Sequence, residues 1–177
     1  KIAGAFNKKA AISSTSDLRS AADAAYTAAD NAGVIFKPQA IQGLTSDIKS
    51  GLADFGYHPA LQPRASAVLG ELDRVSNGNV TLKGLDTVRK MAQAARTSPD
   101  PSERAVGNQI IGKIDDFIAN ASPSDVLAGN AADGAQALST ARNLWSRVKK
   151  TEQVGAAVDK AELRAASTGS GGNVDNA

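Results

Sequence analysis

The chain has 177 residues, 42% hydrophobic and 21% charged, the composition of a folded chain and not of a disordered one. Twenty basic and eighteen acidic residues leave a net charge of +2, too balanced to imply a nucleic-acid partner by itself. The lack of cysteine excludes disulfides, thiolate nucleophiles and Cys-based zinc or iron–sulfur centres, and a single histidine, His58, excludes a His-rich metal site.

Much of the apolar content is alanine, and aromatics are only 4% of the chain. Little apolar area is available per residue, so helices must pack closely or be covered by neighbours. No run of eighteen apolar residues occurs, so no membrane-spanning helix is expected.

Residues 1–15 are weakly patterned, with Lys8 and Lys9 beside alanines, and read as an N-terminal arm or a frayed helix. Ser16 is the expected cap of a first helix running to about Asn31, with Leu18, Ala22, Ala25, Tyr26 and Ala29 as its apolar stripe and Gly33 just past its end. Val34-Ile35-Phe36 is too short to assign to a strand or a buried connector. Pro38 opens a second helix with Ile41, Leu44, Ile48, Leu52 and Phe55 at spacings of three and four, closed by Gly56. Pro63 opens a third carrying Val68, Leu69, Leu72 and Val75, closed by Asn77-Gly78. Thr81 caps a fourth, with Leu82, Leu85, Val88, Met91, Ala92 and Ala95 on one face.

Asp100-Pro101-Ser102-Glu103 places an N-cap acceptor, a proline at N1 and a glutamate at N3 in capping-box order. The fifth helix follows with Val106, Ile110, Ile111, Ile114, Phe117 and Ile118. Ser122-Pro123-Ser124-Asp125 repeats that order ahead of a short turn through Val126 and Leu127. Asn130 then caps a long last helix whose stripe is Leu138, Ala141, Leu144, Trp145, Val148, Val154, Val158 and Ala161.

No segment alternates with period two for long enough to build a sheet, and no repeat is visible. The expected fold is all-α: an antiparallel bundle of about five helices over residues 16–129, a long C-terminal helix over 130–167, and a Gly/Ser-rich joint over 168–177 leading to a further segment capped by Asn173. A start at Lys1 fits part of a longer polypeptide. Polar Thr151, Glu152 and Gln153 interrupt the long helix's stripe, and Gly155 costs about 1 kcal/mol relative to alanine. A bend, or an end to intramolecular contact, is expected there, with Trp145 anchoring the first half. Val154, Ala157, Val158 and Ala161 in the second half form a candidate partner interface.

The chemistry-bearing residues are sparse. His58 lies in a turn with no partner nucleophile or carboxylate in the sequence pattern. Asp115 and Asp116 are adjacent on a helix and point about 100° apart, so they read as a solvated face pairing with a neighbouring cation. Arg142, Arg147, Lys149 and Lys150 surround Trp145 and form a candidate phosphate-backbone contact. Helical spacing explains the same residues as a core tryptophan beside a wet face. Gly169-Ser170-Gly171-Gly172 lacks the lysine and preceding strand of a phosphate loop. No catalytic, cofactor or metal site is assigned, and an enzyme is not expected.

Leu82–Lys90, the capped Asp100–Glu103 and Ile114-Asp115-Asp116-Phe117 are similar to a pattern in large phage and prophage proteins, and Ala141–Arg147 with the run to Asn173 resembles segments of the same group. The likeness covers roughly residues 80–177 and carries no site residues. It implies a virion component of a tailed phage or related particle (a tail, connector or internal ejection protein), homo-oligomeric and in contact with other virion proteins. Two alternatives are a DNA-contacting internal particle protein that uses the Arg142–Lys150 cluster and a secreted helical effector or adhesin.

Overall fold

The computed structural model describes residues 14–168, with side chains through Arg164. The N-terminal arm and the glycine-rich joint lie almost wholly outside these residues. Six helices account for most of the chain: α1 (Thr15–Asn31), α2 (Pro38–Asp54), α3 (Pro63–Val75), α4 (Leu82–Arg96), α5 (Pro101–Asn120) and α6 (Ala131–Thr168). The fold is all-α, as expected, and α6 alone has 38 residues.

Helix ends follow the capping chemistry. Thr81 Oγ1 accepts the Gly84 N–H at 3.0 Å. Asp100 Oδ1 accepts the N–H groups of Ser102 at 2.7 Å and Glu103 at 3.3 Å. Asn130 Oδ1 accepts the Asp133 N–H at 3.2 Å, while its Nδ2 donates to Asp133 Oδ2 at 2.7 Å. Gly33 and Gly56 end their helices at φ +62° and +74°, where a Cβ would strain the backbone.

The first cap differs from expectation. Ser14, not Ser16, holds the start of α1. Its Oγ accepts the Asp17 N–H at 3.1 Å, and Asp17 Oδ2 accepts the Ser14 N–H at 3.2 Å. Asp17 three residues on completes a reciprocal box that Ser16 cannot form. Phe55, expected on the stripe of α2, falls just past its last turn and is 54% exposed.

A small antiparallel sheet is a second departure. Its strands are β1 (Ile35–Phe36), β2 (Val80–Thr81) and β3 (Val126–Ala128), ordered β2-β1-β3. Ile35 faces Thr81 and Ala128, and Phe36 faces Val80 and Val126. The Ser122–Asp125 motif therefore closes a turn into a strand. Asp125 Oδ2 accepts from the Ser122 N–H at 2.8 Å and hydroxyl at 2.6 Å, and the Asp125 carbonyl accepts the Lys37 N–H at 2.9 Å.

The described chain forms two compact units. Residues 25–139 hold the main core. Gly107 on α5 has no room for a Cβ, which would meet the Arg96 backbone nitrogen of α4 at 2.5 Å, and Arg89 forks onto Asp115 at 2.6 and 2.8 Å. The two contacts set α4 and α5 antiparallel. Lys49–Asp73 and Gln42–Ser76 set α2 and α3 likewise. Ile41, Ile48, Leu72, Leu85, Val88, Ile110 and Ile114 fill the middle, and Phe36 meets Phe117 with ring centroids 5.2 Å apart.

In the other unit, formed by residues 1–24 and 140–177, Leu18 and Ala22 of α1 and Ala141 and Val148 of α6 are the buried apolar side chains among the described residues. Arg19 of α1 forms an ion pair with Glu152 of α6.

Candidate interaction surface on the last helix

At 1.5 Å per residue, α6 is about 57 Å long. Ala141 and Val148 lie seven residues apart on one line of it and are fully buried. Beyond Val148 the burial stops: every side chain from Lys149 through Arg164 is exposed. The helix itself does not stop. It runs unbroken through Thr151, Glu152, Gln153 and Gly155, so the interrupted stripe marks the end of side-chain burial and not the end of helix.

Within the exposed stretch Val154 is 64%, Val158 49% and Leu163 72% accessible. At about 100° per residue, Val154, Ala157, Val158 and Ala161 share a face turned by about 140° from the line of Ala141 and Val148. They belong to a separate apolar face. Thr151 adjoins this face with its hydroxyl spent on the Arg147 carbonyl at 3.0 Å, which leaves its methyl group as the part available to a neighbour.

Around the helix Lys150 falls within the arc of the valine face, Arg164 and Glu162 lie to either side of it at about 70° and 90°, and Lys160, Asp159 and Glu152 lie more than about 100° from its centre. The basic cluster named from sequence does not converge on one line. Arg142 and Lys149 share a line, whereas Lys150 and Arg147 are displaced from it by about 80° and more.

Trp145 corrects the core reading of that cluster. It is 37% exposed, Leu144 is half-buried, and the buried positions are Ala141 and Val148. Spacing gave the phase of the stripe correctly but not its edge.

No protein-family model, curated protein or solved structure matches this chain.

The other singled-out residues are placed as follows. His58 is exposed, and its Nδ1 accepts the Ala60 N–H at 3.3 Å, an arrangement internal to its own turn. Asp115 is engaged by Arg89, while Asp116 borders an open hollow of about 340 Å³ with Phe55, Asn108, Gln109 and Lys113. A smaller hollow of about 160 Å³ lies against Tyr26, Lys83, Asp86 and Lys90. Its charges are already paired, Lys90 with Asp86 at 2.8 Å and Lys83 with Asp30 at 3.4 Å. No group of three His, Asp or Glu side chains able to hold a metal occurs among the described residues. No helix among them is long and apolar enough to cross a membrane.

The sequence pattern placed Glu103 at N3 of the Asp100 cap and missed its partner. The glutamate is only 4% exposed, and instead of closing the box on Asp100 it reaches α3. There its Oε1 accepts the Arg64 N–H at 2.6 Å, with the Arg64 guanidinium 3.5 Å from Oε2. Gln62, the residue before α3, is buried beside it. Gln62 Oε1 accepts the His58 N–H at 2.8 Å, and its Nε2 donates to Ser102 Oγ at 3.1 Å. The sequence shows only a glutamate at N3 of α5, and its reach to α3 is settled by a partner 39 residues away in the chain.

Proposed function

We propose that the chain is a structural part of a larger assembly, working by burial of helix faces between subunits, and that the assembly is a tailed-phage or phage-like particle. The observation that carries the assembly reading is the exposed stretch of α6, whose valine face has no cover among the described residues. Contiguous exposed apolar patches rimmed by polar residues mark interaction sites. The particle reading rests on the resemblance over residues 80–177. Mass spectrometry of purified particles tests it: the chain is expected as a packaged component, and Val154→Glu with Val158→Glu is expected to remove it from particles while leaving the helical content of the isolated chain unchanged. Absence from particles of the unaltered chain refutes the particle reading.

The exposure of Trp145 favours one further reading, contact with packaged DNA. Arg142 and Lys149 lie within about 60° of the indole on the helix, which suits phosphate contact beside a stacking ring. Binding is then expected to weaken steeply with salt and to vanish when Arg142, Arg147, Lys149 and Lys150 are reversed to glutamate. No binding to duplex or single-stranded DNA at low salt excludes it.

A further inference from the structure

We infer that Asn77 is a site of spontaneous deamidation, and that the reaction makes a one-way change at the junction between α3 and β2. Of the asparagines in the sequence, Asn77 alone is followed by glycine. Gly78 has no side chain to shield its backbone nitrogen, the atom that attacks the Asn77 side-chain amide. Asn77, Gly78 and Asn79 are all exposed, in the turn between Val75 and Val80. The fold does not call for glycine at 78. Its φ lies outside the left-handed region, and a Cβ built there meets nothing within 4 Å. At Gly33, Gly56 and Gly129, by contrast, a positive φ favours the residue.

The step is a transfer within the chain. The Gly78 nitrogen bonds to Asn77 Cγ, the Cγ–Nδ2 bond breaks, and Nδ2 leaves as ammonia with the proton that the Gly78 nitrogen gave up. Water then opens the cyclic imide. Cleavage at Cγ leaves an aspartate. Cleavage at the main-chain carbonyl leaves a β-linked isoaspartate, with an extra methylene in the backbone. Gly78 N–H donates to the Val75 carbonyl at 3.1 Å, and Asn77 Nδ2 donates to the Asp73 carbonyl at 3.0 Å. Both bonds tie residues just past Val75, the last of α3, where helix ends fray. The reaction therefore proceeds from the frayed turn.

Either product alters the junction. A carboxylate at position 77 stands at the negative end of the α3 dipole and four residues after the Asp73 carboxylate. The amide donor on the Asp73 carbonyl is lost, which leaves the Ser76 hydroxyl at 2.8 Å as its side-chain partner. The isoaspartate also lengthens the chain just ahead of Val80, whose pairing with Phe36 sets the register of β2 on β1. Ammonia escapes to solvent, so the original cap does not re-form.

The full chain is held at mildly alkaline pH and sampled over days to weeks. Peptide mapping by mass spectrometry locates each converted amide, and labelling by an isoaspartyl methyltransferase counts the β-linked product. Asn77 is expected to convert severalfold faster than Asn79, which is exposed in the same turn but precedes Val80. Gly78→Ala is expected to slow conversion at position 77 severalfold and to leave helical content and melting temperature nearly unchanged, since the Cβ has room. The aged chain is expected to melt at a lower temperature than fresh chain and to lose hydrogen-exchange protection at Val80. Asn77→Asp, which supplies the charge without the longer backbone, is expected to reproduce part of that loss. Conversion at Asn77 no faster than at Asn79, or unaffected by Gly78→Ala, overturns the site. Conversion that leaves both the melting temperature and the protection of Val80 intact overturns its effect on the junction.

Discussion

Glu103 holds the start of a helix other than its own, and its removal separates two accounts of how it acts. As a salt-bridge partner it has little to offer: Arg64 is half-exposed and its guanidinium stands 3.5 Å away, a pair worth about 0–1 kcal/mol. As an acceptor for the Arg64 backbone N–H at 2.6 Å, it makes a charge-assisted hydrogen bond, worth about 1.5–3 kcal/mol. It also places negative charge at the first turn of α3, which adds about 0.3–1 kcal/mol. Gln62, the N-cap residue of α3, provides no side-chain cap of its own. Glu103→Ala is therefore expected to cost about 2–4 kcal/mol, Glu103→Gln about half of that because an acceptor oxygen remains, and Arg64→Ala less than about 1 kcal/mol. Urea unfolding followed by far-ultraviolet circular dichroism measures all three, with unchanged m-values confirming a common transition. Equal losses for Glu103→Ala and Arg64→Ala, or a loss below about 0.5 kcal/mol for Glu103→Ala, refute the cross-helix cap.

Two further outcomes follow from the geometry. Trp145→Ala is expected to cost less than about 1 kcal/mol and Val148→Ala about 2 kcal/mol, the reverse of the order for a core tryptophan; thermal unfolding of both variants checks it. The Asp125 carboxyl is held below its ordinary value by the Ser122 hydroxyl first, then by the Ser122 N–H and the nearby Lys37, against an opposing desolvation cost. A lowered pKa means that the ionised group stabilises the fold above the ordinary carboxylate pKa and that this contribution is lost as pH falls through the lower folded value. Asp125→Asn should therefore be less stable than the unaltered chain near neutrality, with the two curves converging below about pH 4; a gap that persists in acid refutes the sign.

What was legible in the sequence was local chemistry. Thr81, Asp100 and Asn130 act as caps because side-chain oxygens two or three residues from free N–H groups need no tertiary partner. Ser14 displaced Ser16 because the acid at Asp17 completes a box with one and not the other. The strands escaped notice because two or three residues cannot show alternation, and their pairing is settled by segments far away in the chain. Trp145 and Leu138 have nearly the same helical phase, yet Leu138 is 2% exposed and Trp145 is 37%. Periodicity reports which way a side chain points, not whether anything stands opposite. The valine face was legible as a face, while the exposure of every side chain from Lys149 through Arg164 shows only in the structure.

The small sheet bears on the order in which the chain folds. β1 pairs with β2 and β3 across about 45 and about 90 residues of sequence, so each pairing closes a long loop whose entropy must be spent before any bond rewards it. The α4–α5 hairpin closes over a handful of residues and forms its contacts cheaply. Nucleation is expected there, with the sheet as a late clasp. Weakening Val80 should then speed unfolding and leave the folding rate nearly unchanged, whereas weakening Leu85 or Ile110 should slow folding. Stopped-flow chevrons that show the opposite assignment would place the nucleus in the strands.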